Sequence, residues 1–396
     1  MNRESMLATF LLALALFILL PCVQTAIPFI RVPTVDEYRK LSPPPKLSLL
    51  TDGGAAAFTD AVSRWFDDHL GLRDLFIRVK NQIDYSVFDT SHKVYLGRDG
   101  WLFDRERTDD RFEIERLDEQ DFLQMEQSFH QLGKMLKERG VTLVLVGYPD
   151  KAMTYPKYLP YDAPKSTDGG NLGRLRKSLE NDPSIIFIDV EKVLLPLKDG
   201  PPLFYRTDLH PTLHTAIPVV REIVRRIAAA EHRPEIAWHE NVHWQAATYR
   251  AGGEARFLAL LKSSGEQIDA ASRLDGVGGT TNDGRWLFDS RIVDYSFGQS
   301  PVFRWAFKSK PSECADRLPG TMLWGDSFSD PYELLWMPHY FCFMRRAKTP
   351  IERLLPFIAD MPAGTKYFIY QFVETYLPCE APLIGKKLSH SYSCTM

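Results

Sequence analysis

The 396-residue chain predicts an α/β domain: a mostly parallel sheet with helices on both faces. Two apolar runs carry the sheet. Val141-Thr142-Leu143-Val144-Leu145-Val146 and Ile185-Ile186-Phe187-Ile188 have the continuous hydrophobicity of parallel strands buried on both faces. A helix precedes the first run, because Phe122, Met125, Phe129, Leu132 and Leu136 recur at spacings of three and four. The alternation then continues to the C-terminus: strand 321–324, helix 332–337, strand 340–343, helix 350–359 and strand 366–370.

Taken in order, the N-terminus comes first. Arg3 precedes an uncharged apolar run from Met6 to Leu20, the pattern of a secretory signal or an uncleaved signal anchor, assigned to residues 1–27. Residues 28–54 are rich in Pro, Thr and Ser and read as a linker. The folded body is expected over 55–378, with 379–396 as a tail. Within it, Trp65-Phe66, Leu70, Leu75-Phe76 and Val79 suggest helices. Val94 to Phe103 reads as a hairpin turning at Asp99-Gly100. Asp118 is placed to cap the 122–136 helix and Gly140 to end it. A further helix is expected over 212–230. Residues 231–320 show no clear period, and Gly276-Val277-Gly278-Gly279 reads as a loop.

The net charge of -3 gives no basis for nucleic-acid binding. The five cysteines lack C-x-x-C spacing, which argues against a zinc cluster or a redox pair. Cys379 and Cys394 flank the tail, as a disulfide in an oxidising compartment or as free thiols.

The chemistry concentrates at two places. Gly325-Asp326-Ser327-Phe328-Ser329 lies between the apolar Thr321-Met322-Leu323-Trp324 and a helix-start signal, Asp330-Pro331-Tyr332-Glu333. Strand, tight turn, serine, helix would expose the Ser327 hydroxyl at the carboxyl end of a strand, where open α/β sheets place ligands. A serine nucleophile needs an imidazole to take its proton and a carboxylate to hold the imidazole tautomer. Asp208-Leu209-His210 supplies both, two residues apart on an expected extended strand end, where i and i+2 share a face.

These blocks resemble the SGNH-hydrolase-like acetyltransferases of the alginate O-acetyltransferase type, the AlgJ/AlgX group. Gly97-Arg98-Asp99-Gly100-Trp101-Leu102-Phe103 is similar to that family's hairpin, and Pro149-Asp150-Lys151 with Tyr155-Pro156-x-x-Leu159-Pro160 to its Pro-x-Lys…Tyr-Pro segment. Asp208-Leu209-His210 matches its acid–base pair and Gly325–Ser329 its nucleophile block. The order Asp, His, Ser is the circularly permuted one of this family. Two positions depart from the pattern: Pro211 where Trp usually follows the His, and Thr375 where an Arg commonly follows the Glu.

The resemblance implies an SGNH-like, flavodoxin-like fold and an O-acetyltransferase with a Ser327, His210, Asp208 triad. Acetyl groups would pass through an acetyl-serine to hydroxyls of an exported, alginate-like polysaccharide. It also implies the Ser327 amide as an oxyanion donor, Asp150, Lys151 and Tyr370 on the substrate side, and no metal or cofactor. The implied partners are the polysaccharide acceptor, a membrane-bound O-acyltransferase as acetyl donor and other polysaccharide secretion proteins. The implied location is the periplasm, with the N-terminal segment as anchor. Three rivals use other readings. A secreted esterase or deacetylase would use the same triad with water. A zinc hydrolase would use His239-Glu240-Asn241-Val242-His243, with Glu254 or Glu266 as third ligand. A scaffold in the secretion complex would carry the triad unused.

Overall fold

The computed structural model describes residues 3–35, 40–113, 117–164, 170–233, 242–249, 252–262, 265–274, 278–279, 292–297, 305–309, 311–330, 337–348 and 354–377. The chain divides into two compact units, Met1–Leu96 with Gly253–Ser264, and Gly97–Gly252 with Gly265–Met396.

The first unit is built on helices α1 (Arg3–Ala26), α2 (Gly54–His69) and α3 (Arg73–Val87). Ser5–Ala26 is long and apolar enough to cross a membrane and is almost wholly unburied. Gln24 ends it. Its amide accepts from the Phe29 and Ile30 N–H groups and donates to the Ile30 carbonyl, at 3.1, 3.0 and 2.7 Å. The Pro-rich segment that follows is hydrogen-bonded to the helices. Arg78 donates to the Pro33 and Thr34 carbonyls, Val35 N–H to Asp74, and Ser42 N–H to Asp68. Arg78 and Asn81 also hold the Leu260 and Leu258 carbonyls, at 2.8 and 2.9 Å.

The second unit contains a seven-stranded sheet. Its strands are β3 (Thr142–Tyr148), β4 (Ile185–Asp189), β8 (Ile292–Phe297), β9 (Trp305–Ser309), β10 (Gly320–Gly325), β11 (Phe343–Lys348) and β12 (Thr365–Val373), in the order β4-β3-β12-β10-β11-β9-β8. The first five run parallel, and β9 and β8 add antiparallel at one edge. A separate antiparallel sheet holds β5 (Val242–Tyr249), β6 (Glu266–Leu274) and β7 (Gly278–Gly279). Strands β1 (Val94–Leu96) and β2 (Leu102–Asp104) flank the Asp99-Gly100 turn, where both residues have positive φ, 54° and 77°. The Gly97 N–H closes that turn on the Trp101 carbonyl.

Helix α4 (Glu119–Lys137) begins where the sequence placed it, because the Asp118 carboxylate accepts from the Asp121 N–H at 2.7 Å. Gly140 follows with φ 74°, a left-handed turn that relieves the chain after the helix. Phe122, Met125, Phe129, Leu132 and Leu136 pack on Leu143, Leu145, Phe368 and Tyr370. Burying five such side chains contributes on the order of 10 kcal/mol. Val144 and Val146 on the opposite face of β3 are buried too, as a doubly covered strand requires. Helix α5 (Leu213–Ala230) buries Ile217, Val220, Ile223, Val224 and Ile227.

One strand lies three residues from its expected place. Met337–Tyr340 forms a 3-10 turn containing Pro338, and the strand starts at Phe343. A disulfide between Cys314 and Cys342 sits at this junction, and the Cys342 N–H donates to the Leu318 carbonyl. Cys379, Cys394 and all but Met337 of the helix expected at 332–337 lie outside the described residues.

Candidate active site

Ser327 follows β10 directly, at the carboxyl end of a central parallel strand. The turn that carries it is tightly fixed. The Asp326 carboxylate accepts from the Phe328 N–H at 2.8 Å and from the Val373 N–H at 3.2 Å. Its own N–H donates to Gln371 Oε1 at 3.1 Å. Ser329 Oγ donates to the Asp326 carbonyl, and the fully buried Arg346 donates to that carbonyl, to Ser329 Oγ and to Asp330. Only glycine fits at 325: a Cβ there would stand 2.6 Å from both Gln371 Oε1 and Ser329 Oγ. Burial raises the Asp326 pKa against the opposing Phe328 and Gln371 hydrogen bonds.

Asp208 and His210 lie in a loop closed by a Phe204–Pro211 bridge and by hydrogen bonds from Tyr205 N–H to the His210 carbonyl and from Thr212 N–H to the Leu203 carbonyl. Their side chains meet, though not by the strand geometry expected. Asp208 Oδ1 accepts from its neighbour's backbone, the His210 N–H, at 3.0 Å, an Asx turn, and bonds His210 Nδ1 at 2.6 Å. Pro211, the departure from the family pattern, forms half of the closing bridge.

Tyr249 completes the carboxylate's partners: its hydroxyl donates to Asp208 Oδ2 at 2.6 Å. Asp208 is 3% exposed. Burial alone would raise its pKa. The His210 ring, the Tyr249 hydroxyl and the His210 N–H outweigh that and hold the carboxyl well below the usual carboxylate range. Burial, helped by the Asp208 and Glu266 charges, pushes the neighbouring Tyr205 up to about 12. His210 is more open than Asp208, with a third of its side chain exposed. Its Nε2 makes no hydrogen bond among the described residues. The Phe328 ring lies 5.6 Å from the imidazole, which brings the turn bearing Ser327 up to His210.

Lys151 is 3% exposed, and its Nζ donates to the Arg206 and Asp208 carbonyls at 3.0 and 3.1 Å. It lies over the Trp101 and Phe103 rings of the hairpin block. Asp150 is buried, and its carboxylate caps the short helix Lys151–Thr154 by accepting from the Ala152 N–H. Both sit just after β3, on the Ser327 side of the sheet. Tyr370 is wholly buried in the core with its ring edge against Phe129. Where the family's Arg was missing after Glu374, Arg107 reaches across and bonds the Tyr376 hydroxyl.

Sequence reasoning missed Tyr249, and it considered Glu266 only as a metal ligand. Glu266 instead accepts from the Arg206 N–H, the Thr207 N–H and the Thr207 hydroxyl, at 2.8, 3.0 and 2.7 Å. The rival H-E-x-x-H reading needs both histidines on one helical face. His243 lies in strand β5, and His239 lies outside the described residues. Three or more His, Cys, Asp or Glu side chains do not cluster as a metal site among the described residues.

Residues 94–285 match the family model described as the SGNH hydrolase-like domain of acetyltransferase AlgX. Comparison with curated proteins gives no match. Among solved structures, the chain is similar to the O-acetyltransferase domain of Pseudomonas putida AlgJ at 17% identity, covering 76% of this chain and 95% of that one, with a TM-score of 0.49. It is similar to Bacillus cereus PatB1 with a sulfonyl adduct at 13% identity, covering 72% and 97%, with a TM-score of 0.50. It is also similar to Pseudomonas aeruginosa AlgX at 16% identity, covering 80% and 71%, with a TM-score of 0.43. At such identities the PatB1 likeness is one of fold. The match over residues 94–285, together with the mostly parallel sheet, shows an SGNH hydrolase-like domain similar to that of the acetyltransferase AlgX.

Proposed function

We propose that the chain is an O-acetyltransferase that acetylates hydroxyls of an exported, alginate-like polysaccharide through an acetyl-Ser327 intermediate. The observation that carries this reading is the 2.6 Å bond between Asp208 and His210 Nδ1, with Nε2 unbonded among the described residues and the Ser327 turn beside the ring, in a domain similar to that of AlgX.

In the first half-reaction His210 Nε2 takes the Ser327 Oγ proton as Oγ attacks the donor's acetyl carbonyl. The Ser327 N–H is the assigned donor to the oxyanion. Collapse expels the donor's leaving group, which takes the proton from His210, and leaves acetyl-Ser327. In the second half-reaction His210 removes the proton of a sugar hydroxyl, whose oxygen attacks the acetyl-serine. Ser327 Oγ leaves and regains that proton. Asp208 holds the Nδ1–H tautomer and stabilises the imidazolium in both halves.

The acetyl donor in this reading is a membrane-bound O-acyltransferase, and other secretion proteins are its neighbours. Two observations support a periplasmic body anchored by α1. Ser5–Ala26 suits a signal or anchor, and the Cys314–Cys342 disulfide suits an oxidising compartment. The test supplies a chromogenic acetyl ester with and without oligosaccharide acceptors. Acetylated oligosaccharide from the wild type and none from Ser327→Ala supports the reading. Release of acetate alone, undiminished by acceptors, makes the protein an esterase.

A further inference from the structure

The β5–β6 pair lies outside the main sheet, yet one end of it converges on the Asp208 loop. Tyr249 and Glu266 are directly opposed in the antiparallel register. From that single rung, Tyr249 binds the Asp208 carboxylate at 2.6 Å and Glu266 binds the two backbone N–H groups before it, those of Arg206 and Thr207. The approach of the chain just beyond β5 is equally close. A Cβ on Gly252 would lie 2.0 Å from the Thr207 carbonyl oxygen. Tyr249 is itself held by a 4.4 Å stack on Tyr205 of the same loop.

We propose that this inserted pair of strands is the positioning device of the Asp208–His210 pair, and that the Tyr249 hydroxyl selects which Asp208 oxygen faces the imidazole. The proposal rests on the acetyl-transfer reading for its activity readouts. With Oδ2 engaged by Tyr249, Oδ1 is left for His210 Nδ1 and N–H, so the carboxylate has one orientation rather than two. The hydroxyl also draws negative charge away from the oxygen that His210 faces. Tyr249 is therefore a positioning residue that sets how strongly the imidazolium is stabilised. The other charged or titratable groups facing the pair are Tyr205, Lys151 on the loop carbonyls, Glu266 on the loop amides, and Asp326 across from His210.

Removing one hydrogen-bond donor from the carboxylate strengthens its hold on the His210 proton. In Tyr249→Phe the acid limb of kcat/KM should move up by about half to one pH unit. The value of kcat should fall about tenfold with KM for the acetyl ester unchanged, because the carboxylate no longer has one orientation and the imidazole loses its fixed aim. Replacing Tyr249 by 3-fluorotyrosine keeps the ring and strengthens the donor, so the limb should move down; this substitution guards against misfolding of the phenylalanine variant. In an Asp208→Asn background Tyr249→Phe should leave the limb where it is. NMR titration of the His210 ring follows the same shifts without any substrate. A His210 titration that shifts while Ser327→Ala still transfers acetyl would keep the positioning role and remove the transfer reading. An identical His210 titration in wild type, Tyr249→Phe and the fluorotyrosine protein would overturn the proposal.

Discussion

Gly325→Ala adds one methyl group and should cripple the site. The new Cβ would lie 2.6 Å from Gln371 Oε1, 2.6 Å from Ser329 Oγ and 3.2 Å from Ser329 Cβ. Neither side chain is free to swing aside. Gln371 Oε1 holds the Asp326 N–H, and Ser329 Oγ bridges the Asp326 carbonyl and Arg346. Overpacking of this kind costs about 1–3 kcal/mol, and each hydrogen bond lost adds roughly 0.5–1.5. A total of about 2–4 kcal/mol is expected in denaturant unfolding. The same crowding displaces the turn that carries Ser327, and a shift of about 1 Å costs on the order of 100-fold in rate. Gly173→Ala is the control, since a Cβ there meets nothing within 4 Å. It should be neutral or slightly stabilising in both assays. Wild-type stability and turnover in Gly325→Ala would refute the packing argument for the nucleophile turn.

Asp208→Asn keeps the shape of the side chain and removes its charge, so acetyl turnover should fall by about 10⁴-fold with the fold retained by circular dichroism. Because the Asp208 pKa is depressed in the folded state, its stabilisation is complete above the unfolded carboxyl value of about 3.9 and is lost as pH falls towards the folded one. The stability difference between wild type and Asp208→Asn, followed by urea unfolding, should therefore shrink as pH falls below that value. Lys151→Met leaves the buried Asp208 carbonyl without its cation, while the Arg206 carbonyl keeps the Leu102 N–H, and should cost about 1–3 kcal/mol together with most activity, measured by unfolding and ester turnover. The Cys314→Ser and Cys342→Ser double variant opens a loop whose ends are 28 residues apart and should lose about 3–4 kcal/mol, with thiol counting to confirm the pairing in the parent.

The sheet was legible because its signals are local. β3 and β4 are continuous apolar runs, and α4 carries a clean stripe with an Asp118 cap. The start of β11 was misread because the apolar letters before it, Tyr340-Phe341-Cys342, serve a proline-containing turn and a disulfide, whereas the strand proper contains the buried cation Arg346. The Asp208–His210 pair was legible from motif and order, but the reason the two meet was not. An Asx turn in a bridged loop replaces the shared strand face. Tyr249 and Glu266 left no trace in the sequence, since β5 is largely exposed and lacks the alternation of a half-buried strand. Their roles arise from a cross-strand pairing 17 residues apart, which no local pattern encodes.

The central claim is that Ser327 carries the acetyl group with His210 as its base. The direct measurement is peptide mass spectrometry after brief exposure to an activated acetyl ester, quenched in acid. The account predicts one acetyl on the peptide containing Ser327 in the wild type, discharged on adding an oligosaccharide acceptor. It predicts none in Ser327→Ala and almost none in His210→Ala. An acetyl group that forms on another residue, or forms on Ser327 as readily without His210, would contradict it.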